Sequence, residues 1–178
     1  MKRIALLTVL CSLFLISCNT GPSLQKYFVE HTNSKDFIAV DLSPSLLKLD
    51  DAKLTAEQSK ALASFQKMNI LAFTSNPSNE ATYETEKTKV SAILKDKKYQ
   101  QLIKVGSGKD GASISFVGDE KHIDEFVLYA NRKENGFAVI RVLGKDMDPN
   151  GIMTMLSLIK DSNLDIKQLE PLKQMVKL

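Results

Sequence analysis

The first apolar block, IALLTVLCSLFLI from Ile4 to Ile16, is broken only by Thr8, Cys11 and Ser12 and follows the cationic pair Lys2-Arg3. Its thirteen residues fall short of the roughly 20 that a membrane-spanning helix needs. The block ends in small residues, as a cleaved export signal does. Residues 1–17 therefore read as a signal peptide and are set apart from the fold.

Past this block, the hydrophobic pattern breaks into short elements. Leu24, Tyr27 and Phe28 share one helical stripe and predict a short amphipathic helix over 24–33. FIAVDL, residues 37–42, reads as a strand stopped by Ser43-Pro44. Thr55-Ala56-Glu57-Gln58 fits a capping box, in which the Thr hydroxyl and the Gln amide satisfy opposite orphan donors, and opens a helix with Leu62 and Phe65 inward. MNILAFT, from Met68 to Thr74, is a nearly continuous apolar run of strand length, as expected of a central strand or one covered on both faces. Strand, helix and strand at this spacing predict a βαβ unit with parallel strands and a right-handed crossover.

Asn76-Pro77-Ser78-Asn79 marks a turn, and a long helix follows from about Glu80, with Tyr83, Val90, Ile93 and Leu94 as its apolar stripe. Asp96-Lys97-Lys98 is a break before Tyr99-Gln100-Gln101-Leu102-Ile103. The pattern then turns to alternation in ASISFV (112–117), followed closely by FVLY (126–129) and FAVIRVL (137–143), the last directly after Asn135-Gly136. Asn-Gly is a strong hairpin signal because both residues tolerate positive φ, so these three strands predict an antiparallel meander. Asp148-Pro149 sets a helix start, with Asp as N-cap and Pro at the first helical position. Ile152, Met155, Leu156 and Ile159 form its inward face, and the tail from Asp165 to Leu178 contains the helix-breaking Pro171. The expectation is one α+β domain over residues 24–178, a mixed β-sheet packed against helices, its N-terminal part a βαβ unit and its C-terminal part a meander.

The end of the signal, Leu15-Ile16-Ser17-Cys18, resembles the bacterial lipobox. That resemblance implies a diacylglycerol-modified thiol, cleavage between Ser17 and Cys18, and Cys18 as an acylated N-terminus carrying chains such as palmitate. Each buried methylene contributes about 0.8 kcal/mol, and two or more chains hold a protein stably where one holds it reversibly. Residues 18–23, ending in Gly21-Pro22-Ser23, then serve as a short tether. With Cys11 removed and Cys18 acylated, no thiol is left for a disulfide, so the exported domain depends on its core. Cleavage removes two of the 24 cationic residues and none of the 21 acidic ones, taking the net charge from +3 to +1. That balance gives no reason to expect nucleic acid.

A second resemblance covers Tyr99 to Ile159. YQQLIKV, ASISFVG, IDEFVLYA and GFAVIRVLGKDMDPNGI are similar to the C-terminal pattern of a domain of unknown function in small Bacteroidetes lipoproteins. In that pattern a Tyr-x-x-Leu helix end, an Ile-x-Glu-x-x-Leu strand and an apolar strand ending in Gly precede a helix started by Asp. The matching positions are Tyr99 and Leu102, Ile123, Glu125 and Leu128, then Gly144 and Asp148. The resemblance implies an envelope location and supplies no catalytic residue.

Gly106-Ser107-Gly108-Lys109-Asp110-Gly111 matches G-x-G-x-x-G literally, but a pyrophosphate loop must follow a strand and open a helix. It is read instead as a helix-to-strand turn. Asp146, Asp148 and Asn150, with Gly151, resemble the first half of a calcium loop whose twelfth position is Ser157 rather than Glu, which makes them weak metal candidates. The run from Asp119 to Glu125 gathers His122 with carboxylates and reads as a solvated turn. Met147, Met153, Met155 and Met175 read as core in preference to an adaptable binding face. No nucleophile elbow or local triad is present, and no cofactor is expected.

The expected function is that of a lipid-anchored envelope protein acting as a non-catalytic binding module, held to the membrane through Cys18 and meeting an envelope protein partner at an edge strand. The alternatives are an envelope hydrolase with a non-local site at His31 or His122, and a sensor of envelope state. Asn19 in place of an inner-membrane aspartate, and no acidic cluster over Thr20 to Ser23, point to the outer membrane facing the periplasm.

Overall fold

Polar caps and apolar stripes set the elements along the chain. The computed structural model describes residues 21–47, 49, 53–107, 110–119 and 122–161; the signal peptide, Cys18 and the tail from Asp165 lie outside the described residues. Ser23 caps helix α1 (Leu24–His31), its hydroxyl accepting from the Lys26 amide at 3.3 Å, and Leu24, Tyr27 and Phe28 are buried as their spacing predicted. Strand β1 (Phe37–Leu42) follows, then a 3-10 turn (Pro44–Leu47) and helix α2 (Ala56–Ser64). The capping box forms, with the Thr55 hydroxyl accepting from Gln58 N and the Gln58 amide oxygen from Thr55 N. Strand β2 (Phe65–Thr74), helix α3 (Glu80–Ile93) and strands β3 (Gln100–Ser107), β4 (Asp110–Gly118), β5 (Ile123–Arg132) and β6 (Gly136–Met147) lead to helix α4 (Pro149–Asp161).

The six strands among the described residues form one sheet in the order β1-β2-β6-β5-β4-β3, and every neighbouring pair is antiparallel. The fold is therefore α+β, and its C-terminal part is a meander. The expected βαβ unit is absent: β1 and β2 run antiparallel, with Phe37 opposite Phe73 and Leu42 opposite Met68. The reason lies at Phe65, expected on the inward face of the helix and found as the first residue of β2, directly after Ser64. A nine-residue helix rises only about 13.5 Å, and no linker after it returns the chain to the far end of the sheet. The chain thus enters β2 at the end where it left β1.

Two further expectations change together. Tyr99 to Ile103, read as a helix end, lies mainly in β3, so the meander has four strands rather than three. The glycine-rich segment is accordingly a turn between two strands, β3 and β4, and not from helix to strand. A bulge between Gln101 and Ile103 puts Leu102 and Ile103 side by side and hides the period-two signal. At Asn135-Gly136 only Gly136 has positive φ, at +118°, and the turn is closed by Asn135 N donating to Arg132 O.

Helices cover both faces of the sheet. On one face α2, α4 and the 3-10 turn close over Met68, Ile70, Phe116, Phe126 and Val142. On the other, α1 and α3 close over Leu71, Phe73, Val127, Phe137 and Val139. Strand β2 contributes to both clusters, which is why its sequence is nearly continuous in apolar residues. Ile152 and Met155 of α4 are buried as expected, joined by Leu158. The Leu156 and Ile159 side chains lie outside the described residues.

Candidate docking site at the β3 edge

Strand β3 ends the sheet, so among the described residues one side of its backbone has no neighbouring strand. Every residue from Gln100 to Gly106 is exposed. Three of these are large and apolar: Leu102 is 42 % exposed, Ile103 52 % and Val105 58 %. Eight residues give an edge about 26 Å long.

Beside this edge, on the face covered by α1 and α3, lies a groove of about 480 Å³. It exists because α3 anchors itself toward the middle of the sheet through Tyr83, Val90 and Ile93. Next to it β4 offers only the small residues Gly111, Ser113 and Ser115, which do not fill the space under the helix. Lys87, Thr88 and Ser91 of α3, with Lys95 just past its end, form one wall, and Gln101 and Lys104 of β3 the other. Tyr129 lines the back. Its hydroxyl is buried and makes no hydrogen bond among the described residues. Burial, with Tyr83 close by, pushes the Tyr129 phenol up to about 12.

The charge of the groove is uneven. Glu84 is its acidic residue, and Lys87 Nζ lies 3.4 Å from Glu84 Oε2. Lys95 and Lys104 have no acidic partner among the described residues and leave the groove cationic.

The residues singled out from the sequence lie elsewhere. Asp146, Asp148 and Asn150 border a smaller cleft of about 220 Å³ with Glu57 and Lys60. Asp148 Oδ1 accepts from Gly151 N at 2.7 Å, capping α4, and its Oδ2 lies 3.5 Å from Lys60 Nζ. Among the described residues no three His, Cys, Asp or Glu side chains converge as a metal site requires. His122 sits in an exposed turn, its ring 3.3 Å from Asp119 Oδ1. His31 stacks on Phe37 at 4.3 Å between ring centroids and approaches Glu86 Oε2 at 3.2 Å. Neither histidine lines the groove.

Two buried polar clusters escaped the sequence reading. In the first, Glu86 is 6 % exposed and accepts from Tyr27 Oη at 2.9 Å and Lys89 Nζ at 2.7 Å, so that with His31 it clasps α1 to α3. Burial, then this hydrogen bond, raises the Tyr27 phenol far above the ordinary tyrosine range. In the second, Arg141 is 5 % exposed and donates from Nε to Glu125 Oε1 at 2.6 Å, from Nη2 to Oε2 at 3.3 Å, and from Nη1 to Gln25 Oε1 at 2.7 Å. Its guanidinium also covers the Phe28 ring. The signal for each was a charge inside an apolar period: Glu86 between Tyr83 and Val90 on a helix, Arg141 in the middle of FAVIRVL.

Residues 27–155 match the model of the family described as Domain of unknown function (DUF4252). The chain belongs to this family. No curated protein and no solved structure is significantly similar to it. The DUF4252 match spans the fold from α1 into α4 and includes the whole sheet, the β3 edge and the groove. Among the described residues of this DUF4252 protein no helix is long and apolar enough to cross a membrane.

Proposed function

We propose that this DUF4252 protein is a lipid-anchored envelope protein, held through acylated Cys18, that works as a non-catalytic module binding a protein partner in the periplasm. The observation that carries the binding reading is the β3 edge, a terminal strand without a further neighbour among the described residues, with Leu102, Ile103 and Val105 exposed beside an open groove. Strand addition uses such an edge: backbone hydrogen bonds supply affinity, and the surfaces on either side of the new strand select its side chains. Support for the anchor is the lipobox-like Leu15-Ile16-Ser17-Cys18 at the end of an export-type signal, with the family domain starting only at Tyr27. A tethered module needs no thiol of its own beyond Cys18, and the partner meets it in the plane of the membrane.

The test is a photo-crosslinking residue at Val105 in living cells, compared with one at Ala39 on the opposite edge. The expected result is a discrete adduct from position 105 that fails to form from position 39. Membrane fractionation of a Cys18→Ala variant accompanies it, with release of the protein expected. Retention of the variant in the membrane would sink the anchor, and equal crosslinking from both edges would sink the docking site.

A further inference from the structure

We infer that the strand received at the β3 edge is acidic and alternating, with carboxylates facing the groove and apolar side chains on the opposite face. This rests on the edge-docking reading above and specifies its partner. The two faces of β3 differ in chemistry. Ile103 pairs with Ile114, which packs against the cluster under α4, so the exposed apolar atoms of Ile103 continue that far face; Val105, opposite Ala112, follows it by alternation and also borders the groove. Lys104 pairs with Ser113 and turns into the groove, where Lys95 stands on the facing wall. A strand laid along β3 presents its side chains alternately to these two surfaces. Carboxylates at every second position meet Lys104 and Lys95, and the intervening apolar residues extend the stripe of Ile103 and Val105.

A second copy of this chain is a poor occupant. Antiparallel pairing of two β3 strands centred on Lys104 sets Lys104 against Lys104 on the groove face, and like charges directly opposite one another are destabilising. An edge lysine is also a common natural guard against such self-pairing. An acidic strand turns the same lysine from a guard into a selector.

The test uses the full chain in nonionic detergent and three peptides as long as β3, in which valine alternates with glutamate, glutamine or lysine. Amide hydrogen exchange reads protection over residues 100–107, and a titration reads affinity. At low salt the glutamate peptide is expected to protect this segment and to bind about tenfold more tightly than the lysine peptide, as a few solvent-facing charge pairs allow. The advantage should shrink at high salt. The Lys95→Glu/Lys104→Glu double variant, altered only at exposed positions, should reverse the preference with unchanged circular dichroism. Equal binding of all three peptides with β3 protected would overturn the acidic partner and leave edge docking standing. No protection of β3 by any peptide would overturn both. Protection of the groove by polygalacturonate but by no peptide would overturn the inference in favour of a glycan.

Discussion

At one edge of the sheet, β1 offers six residues, of which Val40 and Leu42 are buried, and its first, Phe37, meets Tyr27, His31, Phe73 and Phe137 in an aromatic cluster. At the other edge, β3 offers eight residues, and its apolar side chains stand in solvent beside a cationic groove. Both strands are topologically terminal, so edge position alone does not decide exposure. What decides it is the cover. β1 is short, α1 packs its aromatic residues beside it, and its outward Asp41 is paired with Asn69 and Lys67, the devices by which proteins blunt an edge. Around β3 the small residues of β4 and the offset of α3 leave such cover incomplete.

The largest effect is expected in the aromatic cluster that covers the β1 edge, where Phe73 meets Phe37. Phe73→Ala removes a fully buried ring stacked on Phe137 at 5.5 Å, and should cost about 3–5 kcal/mol in urea unfolding. The second largest effect is expected at Arg141. Arg141→Met leaves the Glu125 carboxylate mostly buried without its bidentate partner and should cost about 3 kcal/mol, whereas adding Glu125→Leu should recover much of that loss. A double-mutant cycle showing simple additivity would mean that the pair is not coupled.

These charged positions also mark where the sequence was legible and where it was not. The capping box at Thr55, the stripe of α1 and the Asp148 cap of α4 are local, so their spacing alone was enough. The direction of β2 depended on one boundary: moving the strand start from Met68 to Phe65 removes the linker that a crossover requires. Strand β3 was misread because its bulge breaks the alternation, and because an exposed edge puts little constraint on which residues are apolar. The groove was not legible at all. It depends on Ser113, Ser115 and Gly111 lying under α3, a juxtaposition across the sheet that no stretch of sequence contains.

A smaller effect is expected where α1 is clasped to α3. Glu86→Leu removes the acceptor of Tyr27 Oη and the neighbour of His31 and Lys89, and should cost about 2 kcal/mol. Glu86→Gln should cost less, since its amide oxygen still accepts from Tyr27. Alkali probes the same face through its tyrosines. Burial, then the Glu125 carboxylate, pushes the Tyr99 phenol up to about 12, and burial takes Tyr129 to a similar value. Both phenols stay protonated in the fold above the ordinary tyrosine value near 10, while the unfolded chain gives up its protons. Their contribution to stability is therefore complete below pH 10 and is lost as pH rises from there toward about 12. Phenolate absorbance should lag behind that of free tyrosine and then rise together with the loss of helical circular dichroism. Early titration of these phenols with the fold intact would show that this face is open to solvent.

The smallest change in stability is expected at the open edge, and there it is most informative. Val105→Thr keeps a β-branched residue on an exposed strand and replaces an apolar methyl with a hydroxyl. Urea unfolding should move by no more than about 0.5 kcal/mol. A much larger loss would mean that Val105 contributes to the core, and that the contrast between the two edges is smaller than its exposure indicates. If stability holds while photo-crosslinking at the neighbouring Ile103 falls in cells, the apolar surface of β3 is being spent on a partner and not on the fold. That combination, a side chain nearly neutral for folding and needed for capture, is what separates a docking edge from one that is merely unprotected.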